Sequence, residues 1–278
     1  MLLRLPYLPP YLNKSSNFNH GINFAVGGAT ALGPSFFIEK GVNLPLTNSS
    51  LNVQIQWFKS YLNSTCNTKG CAQILERALF LIGEIGGNDY NHALLGNKSI
   101  EEVKTYVPHV VNAIVHAIKE VINLGATQLI VPGNFPIGCF PIYLTAFGKE
   151  DSVFDQRNCL GDWNEFAEFH NKYLQSSLNN LRRDYPNVLI LYGDYYNAFL
   201  QLMDEANSYG FDQSSLLRAC CRLDFNHTLS LNFGTPNGLI CSDPSKFINW
   251  DGVHLTQKAY KNMAKQLFQR WAYTHASF

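Results

Sequence analysis

The chain has 278 residues, 46% hydrophobic and only 15% charged, with Lys+Arg and Asp+Glu balanced at 21 each. That length fits one large α/β domain or two small ones, with enough chain to bury a sizeable core. The charge balance argues against a nucleic-acid or anionic-membrane partner, since both need a local excess of positive charge.

Met1-Leu2-Leu3-Arg4-Leu5-Pro6 is too short an apolar run for a secretory signal and lacks a small-residue cleavage site. No stretch is long enough to span a membrane. Gly21-Ile22-Asn23-Phe24-Ala25 is a short strand candidate entering a Gly27-Gly28 turn. Ala78 to Ile85 is a largely apolar strand candidate that ends at Gly86-Gly87. Ser99-Ile100-Glu101-Glu102 reads as a capping box. The helix it opens carries apolar residues at Val103, Val107, Val110, Val111, Ile114, Ile118, Val121 and Ile122, and stops at Gly125. Leu129-Ile130-Val131 is the next strand, closed by Pro132-Gly133. A long helix covers about 162–184, Val188 to Leu191 is another buried strand, and a helix follows over 194–208. Thr256 caps a last helix with a stripe at Tyr260, Met263, Ala264, Leu267 and Trp271. Strands alternating with helices, the strands almost continuously apolar, predict a parallel sheet covered on both faces. Ligand sites in such sheets form beyond the carboxyl ends of the strands. That points to the loops after Ala25 and Ile85 and to the loop carrying Asp251 and His254.

Seven cysteines occur, and no CxxC or His/Cys spacing suggests zinc, so no metal site is expected. Cys66 and Cys71 flank a four-residue polar loop that a disulfide could close. N-x-S/T sequons stand at Asn13, Asn48, Asn63, Asn97 and Asn226. Cysteines and sequons together favour an oxidising, secretory environment, against the alternative of scattered buried thiols in a cytosolic protein.

Three loops carry candidate chemistry. In Gly86-Gly87-Asn88-Asp89 the glycines allow a sharp turn and Asn88 offers amide donors of the kind an oxyanion hole uses. The same residues also suit an ordinary strand-ending turn. Gly27-Gly28 lacks GxGxxG and an acidic residue at ribose distance, so no nucleotide cofactor is expected. It offers either a backbone N–H to an oxyanion or simply a flexible turn. Asp251 and His254 are spaced so that a carboxylate can orient a general base. Alternatively, Asp251 ends a turn and His254 caps the last helix.

Taken together and in order, these blocks resemble the plant GDSL esterase/lipases of the SGNH hydrolase superfamily. They are His20-Gly21-Ile22-Asn23-Phe24-Ala25-Val26-Gly27-Gly28-Ala29, Gly83-Glu84-Ile85-Gly86-Gly87-Asn88-Asp89-Tyr90-Asn91, and the run from Asp243 to Thr256. Val131 to Cys139 and Phe169-His170-Asn171 are similar to further blocks of that family, in the branch of acetylajmalan and sinapine esterases. The resemblance implies a single domain over 1–278, a three-layer α/β/α sandwich of flavodoxin-like type with a parallel sheet. It also implies ester hydrolysis through an acyl-serine, without metal or cofactor, on a small acylated plant metabolite or lipid ester. Under it His254 is the base, Asp251 its orienting acid, Asn88 the side-chain oxyanion donor and Gly28 the backbone donor, with Gly27 as an alternative register. It places the parent protein outside the cell or in the vacuole, as a glycoprotein.

The departures are equally informative. The family opens with a strand ending in Gly-Asp-Ser, and no Gly-Asp-Ser occurs in this chain. Ser15 and Ser16 lie in a polar, sequon-containing turn that does not suit a nucleophile. The expectation is therefore a chain without its first strand and its nucleophile, hydrolysing esters negligibly. The alternative is a truncated product that binds a small ligand or uses His254 and Asp251 for other acid–base chemistry. Relatives carry a further cysteine where this chain reads Asn232-Phe233-Gly234. The expected pairs are Cys66–Cys71 and Cys139–Cys159, with one thiol of Cys220, Cys221 and Cys241 left over.

Overall fold

A computed structural model describes residues 6–66, 70–222 and 239–275, without the side chains of 70 and 270–275. The Asn226 sequon, Asn232-Phe233-Gly234 and the Trp271 side chain lie outside the described residues. In chain order the helices are α1 Pro34–Glu39, α2 Leu51–Thr65, α3 Gly70–Arg77, α4 Gly87–Leu94, α5 Ile100–Lys104 and α6 Val107–Asn123. They continue with α7 Pro141–Phe147, α8 Gly161–Asp184, α9 Tyr195–Asp204, α10 Ala206–Tyr209 and α11 Gln257–His275. The strands are β1 Leu79–Leu81, β2 Gln128–Pro132, β3 Leu189–Gly193, β4 Cys221–Arg222 and β5 Leu239–Ile240. The chain divides into two units, 1–134 with 170–193, and 135–169 with 194–278.

The first unit holds a parallel sheet in the order β1-β2-β3. Phe80, Leu129 and Ile190 stand side by side across it, and Leu129 and Ile190 are buried. Parallel neighbours need long crossovers, and α4 to α6 fill the one between β1 and β2. Helix α6 buries Val107, Val110, Val111, Ile114, Ala117, Ile118 and Val121, a stripe of helical period, and packs with α2. The α/β class and the parallel sheet are those expected.

Several local expectations change. The predicted single helix from Ser99 to Gly125 is two helices, because Pro108 lacks the N–H that would bond back toward α5 and instead sits in the first turn of α6. Ser99 does cap α5, its hydroxyl accepting from the Glu102 N–H at 3.1 Å. Residues 21–25 form no strand: a single parallel bridge joins Asn23 to Pro10. The strand expected over 78–85 pairs only over Leu79–Leu81, and its Leu81 is 59% exposed. The helix expected over 194–208 is split into α9 and α10 at Glu205.

The second unit packs α11 with α9, and Thr256 caps α11 by accepting from the Ala259 N–H. Disulfides join Cys66–Cys71, Cys139–Cys159 and Cys220–Cys241, and Cys221 is the thiol left over. The two expected pairs are present. Cys220 rather than Cys221 takes Cys241 because β4 sets Cys221 opposite Ile240.

Candidate active site

The loop from Asn249 to Leu255 closes on itself. Asn249 and Leu255 form an antiparallel bridge, and the Trp250 N–H donates to the His254 carbonyl at 2.8 Å. The segment beside it backs the loop: the Cys220 N–H donates to the Asn249 carbonyl and the Cys221 N–H to that of Trp250. The Ile142 N–H at the start of α7 donates to the Gly252 carbonyl at 3.1 Å. The Cys220–Cys241 disulfide thus sits directly behind the loop that carries Asp251 and His254.

Within the loop, Asp251 Oδ2 lies 2.8 Å from His254 Nδ1. Its other oxygen accepts from the Val253 and His254 N–H groups at 2.8 and 2.7 Å. One oxygen therefore shapes the turn while the other orients the ring. Burial pushes the Asp251 carboxyl up. The bonds from the His254 ring and from the two N–H groups outweigh it, so the group stays below its ordinary value. Asp251 is buried while the His254 side chain is 54% exposed. With Nδ1 held by the carboxylate, Nε2 is the ring nitrogen turned away from it, as a general base requires. The alternative role of His254 as helix cap is not what is seen, since Thr256 supplies the cap.

In the first unit, Val26-Gly27-Gly28-Ala29 is a turn closed by the Ala29 N–H on the Val26 carbonyl at 3.1 Å. Gly28 has φ +78°, the third position of a type II turn, where glycine is preferred. That turn's bond does not use the Gly28 N–H. The left-handed conformation falls on Gly28 and not on Gly27.

Asn88 stands in the first turn of α4 and donates from Nδ2 to the Ala29 carbonyl at 2.9 Å. A primary amide has two such hydrogens, so a second remains for another acceptor. The structure therefore brings Asn88 and the Gly27-Gly28 turn together, 59 residues apart in the chain. Gly86 begins α4 at φ +109°, and a Cβ there would lie 2.8 Å from Val110 Cγ1.

Two residues beside this site were missed from sequence. Asp89, read as a turn residue, is fully buried and accepts from the Ala31 and Leu32 N–H groups at 2.8 and 2.9 Å. His170, named from sequence only as part of the Phe169-His170-Asn171 block, is fully buried with Nδ1 2.7 Å from the Tyr90 hydroxyl. Burial drives its pKa down to about 3, so the ring is neutral.

A model of the family described as GDSL-like Lipase/Acylhydrolase matches residues 3–267. A GDSL esterase/lipase of Arabidopsis thaliana is 48% identical over 249 residues, 88% of this chain and 76% of its own length. Sinapine esterase of Brassica napus is 42% identical over 269 residues, 94% of this chain and 69% of its own length. Acetylajmalan esterase 1 of Rauvolfia serpentina is 40% identical over 268 residues, 95% of this chain and 70% of its own length. With matches of this extent, and with a parallel sheet consistent with an α/β/α sandwich, the chain belongs to the GDSL-like lipase/acylhydrolase family.

Proposed function

We propose that this chain carries the acid–base and oxyanion parts of a GDSL-type carboxylic ester hydrolase acting on a small acylated metabolite or lipid ester. The observation that carries the reading is the 2.8 Å bond between Asp251 and His254 Nδ1, in the family block where a base and its orienting acid are expected. His254 Nε2 takes the proton from an attacking hydroxyl, and Asp251 stabilises the imidazolium that results. The negative charge that develops on the former carbonyl oxygen is met by the Gly28 N–H and the second Asn88 hydrogen. Each such donor is worth about 2.7–4 kcal/mol of barrier. The imidazolium then returns its proton to the leaving alcohol, and the acyl group stays on the nucleophile until water removes it. The named substrates of two relatives, sinapine and acetylajmalan, support a small acylated compound as the ester.

The 278 residues contain no Gly-Asp-Ser, the motif that supplies the family's nucleophile. The chain by itself is expected to turn over p-nitrophenyl acetate only at the residual level left by oxyanion donors and base. Joined to a Gly-Asp-Ser-bearing N-terminal segment of a relative, it is expected to gain activity that His254→Ala removes. An ordinary enzymatic rate from the 278 residues alone, abolished by His254→Ala, contradicts the assignment of the nucleophile. A fused chain whose new activity ignores His254→Ala contradicts the base.

A second reading is supported by the presence of Gly28, Asn88, Asp251 and His254 in a chain without that motif. In it the chain binds an ester or acid without hydrolysing it, and specific ligand binding without turnover is its signature. The single-domain reading of residues 1–278 is supported by a family match that runs through both units. A secreted or vacuolar location is supported by three disulfides and by exposure of Asn13, Asn48, Asn63 and Asn97, as glycosylation would require. Among the described residues no helix is long and apolar enough to cross a membrane.

A further inference from the structure

Asp89 is a fully buried carboxyl group for which the proposed hydrolytic roles have no use, because Asp251 already orients His254. Burying a carboxylate is unfavourable unless its oxygens are well bonded. Here each oxygen accepts one backbone N–H, Oδ2 from Ala31 and Oδ1 from Leu32. Together with the Asn88 bond to the Ala29 carbonyl, the first turn of α4 grips three points of the four residues that follow Gly28. Only a group with two acceptor oxygens and no donor can serve both amides at once; an asparagine would turn an NH2 toward one of them.

We propose that Asp89 is a positioning residue for the oxyanion donors: its buried carboxylate fixes residues 28–32 against α4, and so sets the direction of the Gly28 N–H relative to Asn88. This rests on the reading of Gly28 and Asn88 as oxyanion donors. Such donors act only when fixed before the reaction, within about 0.5 Å of the productive geometry. The Gly28 turn has one closing bond of its own, from Ala29 to Val26, and that bond does not tie it to α4. Asn88 and Asp89 supply that tie.

The group is open to titration. Burial pushes Asp89 up to about 7, against the pull of the Ala31 and Leu32 amides, and the Glu84 carboxylate raises it further. Tyr90 and His170 pack on the same turn but titrate elsewhere, Tyr90 well above its ordinary value and His170 at about 3.

The test is 15N–1H NMR on the 278-residue chain. On raising the pH from about 5 to 9, the Ala31, Leu32 and Gly28 amide signals should move with one shared midpoint near neutrality, a step that Asp89→Asn abolishes. Butyrate, used as an oxyanion probe, should shift the Gly28 amide and the Asn88 side-chain amide. Its dissociation constant should rise about 10-fold in Asp89→Ala and about 3-fold in Asp89→Asn, which keeps one bond. Val103→Ala, a truncation in the buried core of the same unit, should stay within about 2-fold, which separates positioning from general destabilisation. A Gly28 signal that ignores the step seen at Ala31 and Leu32 overturns the role of Asp89, as does butyrate binding unchanged in Asp89→Ala. No butyrate response at Gly28 and Asn88 in the unmodified chain overturns the oxyanion reading itself, and this role with it. The pH series needs no variant to report the Gly28 response, so it decides even if Asp89→Ala does not fold.

Discussion

Asp251 and His254 are fixed by side-chain contacts that span two or three residues of chain, whereas Asn88 and Asp89 are fixed by contacts that span 57 to 59. The first arrangement is a loop that shapes itself around one carboxylate and leaves its histidine half in solvent. The second grafts one helix turn onto a distant segment through a fully buried carboxyl group, Asp89, and the half-buried Asn88. Under the proposed roles, a base that must meet a substrate can be exposed, since its partner lies beside it in the chain. In the proposed reaction, the donors that must be aimed before the substrate arrives are held by partners far away in the chain.

If that contrast is right, Asp89→Ala has the largest effect on stability. It strands the buried Ala31 N–H and the part-buried Leu32 N–H and should cost about 2–4 kcal/mol in urea unfolding. A loss under about 1 kcal/mol would mean that the segment after Gly28 is held by something else. The pH dependence comes next, with opposite signs for the two carboxylates. The unfolded chain ionises Asp89 at its ordinary value near 3.8 while the folded one waits until about 7. The folded state therefore binds more protons in that window, and stability falls as pH rises through it. Asp251 is depressed, so its contribution is present above the ordinary carboxylate range and is lost as pH falls through its folded value. Urea midpoints across this range, repeated with Asp89→Asn, should show the falling slope vanish. Asp251→Ala should cost less than Asp89→Ala, about 1–2 kcal/mol, because the groups it strands lie in a loop that water can reach. A loss equal to that of Asp89→Ala would erase the contrast. The smallest effect is Ser99→Ala, which removes one exposed cap and should cost about 1 kcal/mol.

The same contrast explains what could be read from sequence. Asp251 and His254 were legible because their geometry is written in three residues, and Ser99 because a cap is equally local. Leu129 to Val131 were legible as a strand because an apolar, β-branched run between turn residues has few other uses. Pro108 was also visible, yet the apolar stripe around it continues with helical period and hides the break. The residues 21–25 look like a strand and are not one, since a strand exists only where a neighbour pairs with it. Asp89 and His170 could not be assigned, because their partners are Ala31, Leu32 and Tyr90, and nothing in the chain marks those as neighbours. The leftover thiol was narrowed to three cysteines, and the choice among them waited on the register of β4 with β5.

The absent Cβ at Gly86 has a consequence for engineering. A methyl group there would press on Val110 Cγ1 at 2.8 Å and touch His170 Cε1 at 3.6 Å. The clearance at the start of α4 is thus set by side chains of α6 and α8, and Asn88 lies only two residues further on. Val110 has no reactive group, yet it lines the space that the Gly86 backbone occupies just before Asn88. A side chain larger than Val at position 110 would therefore meet the α4 backbone at Gly86, two residues before Asn88.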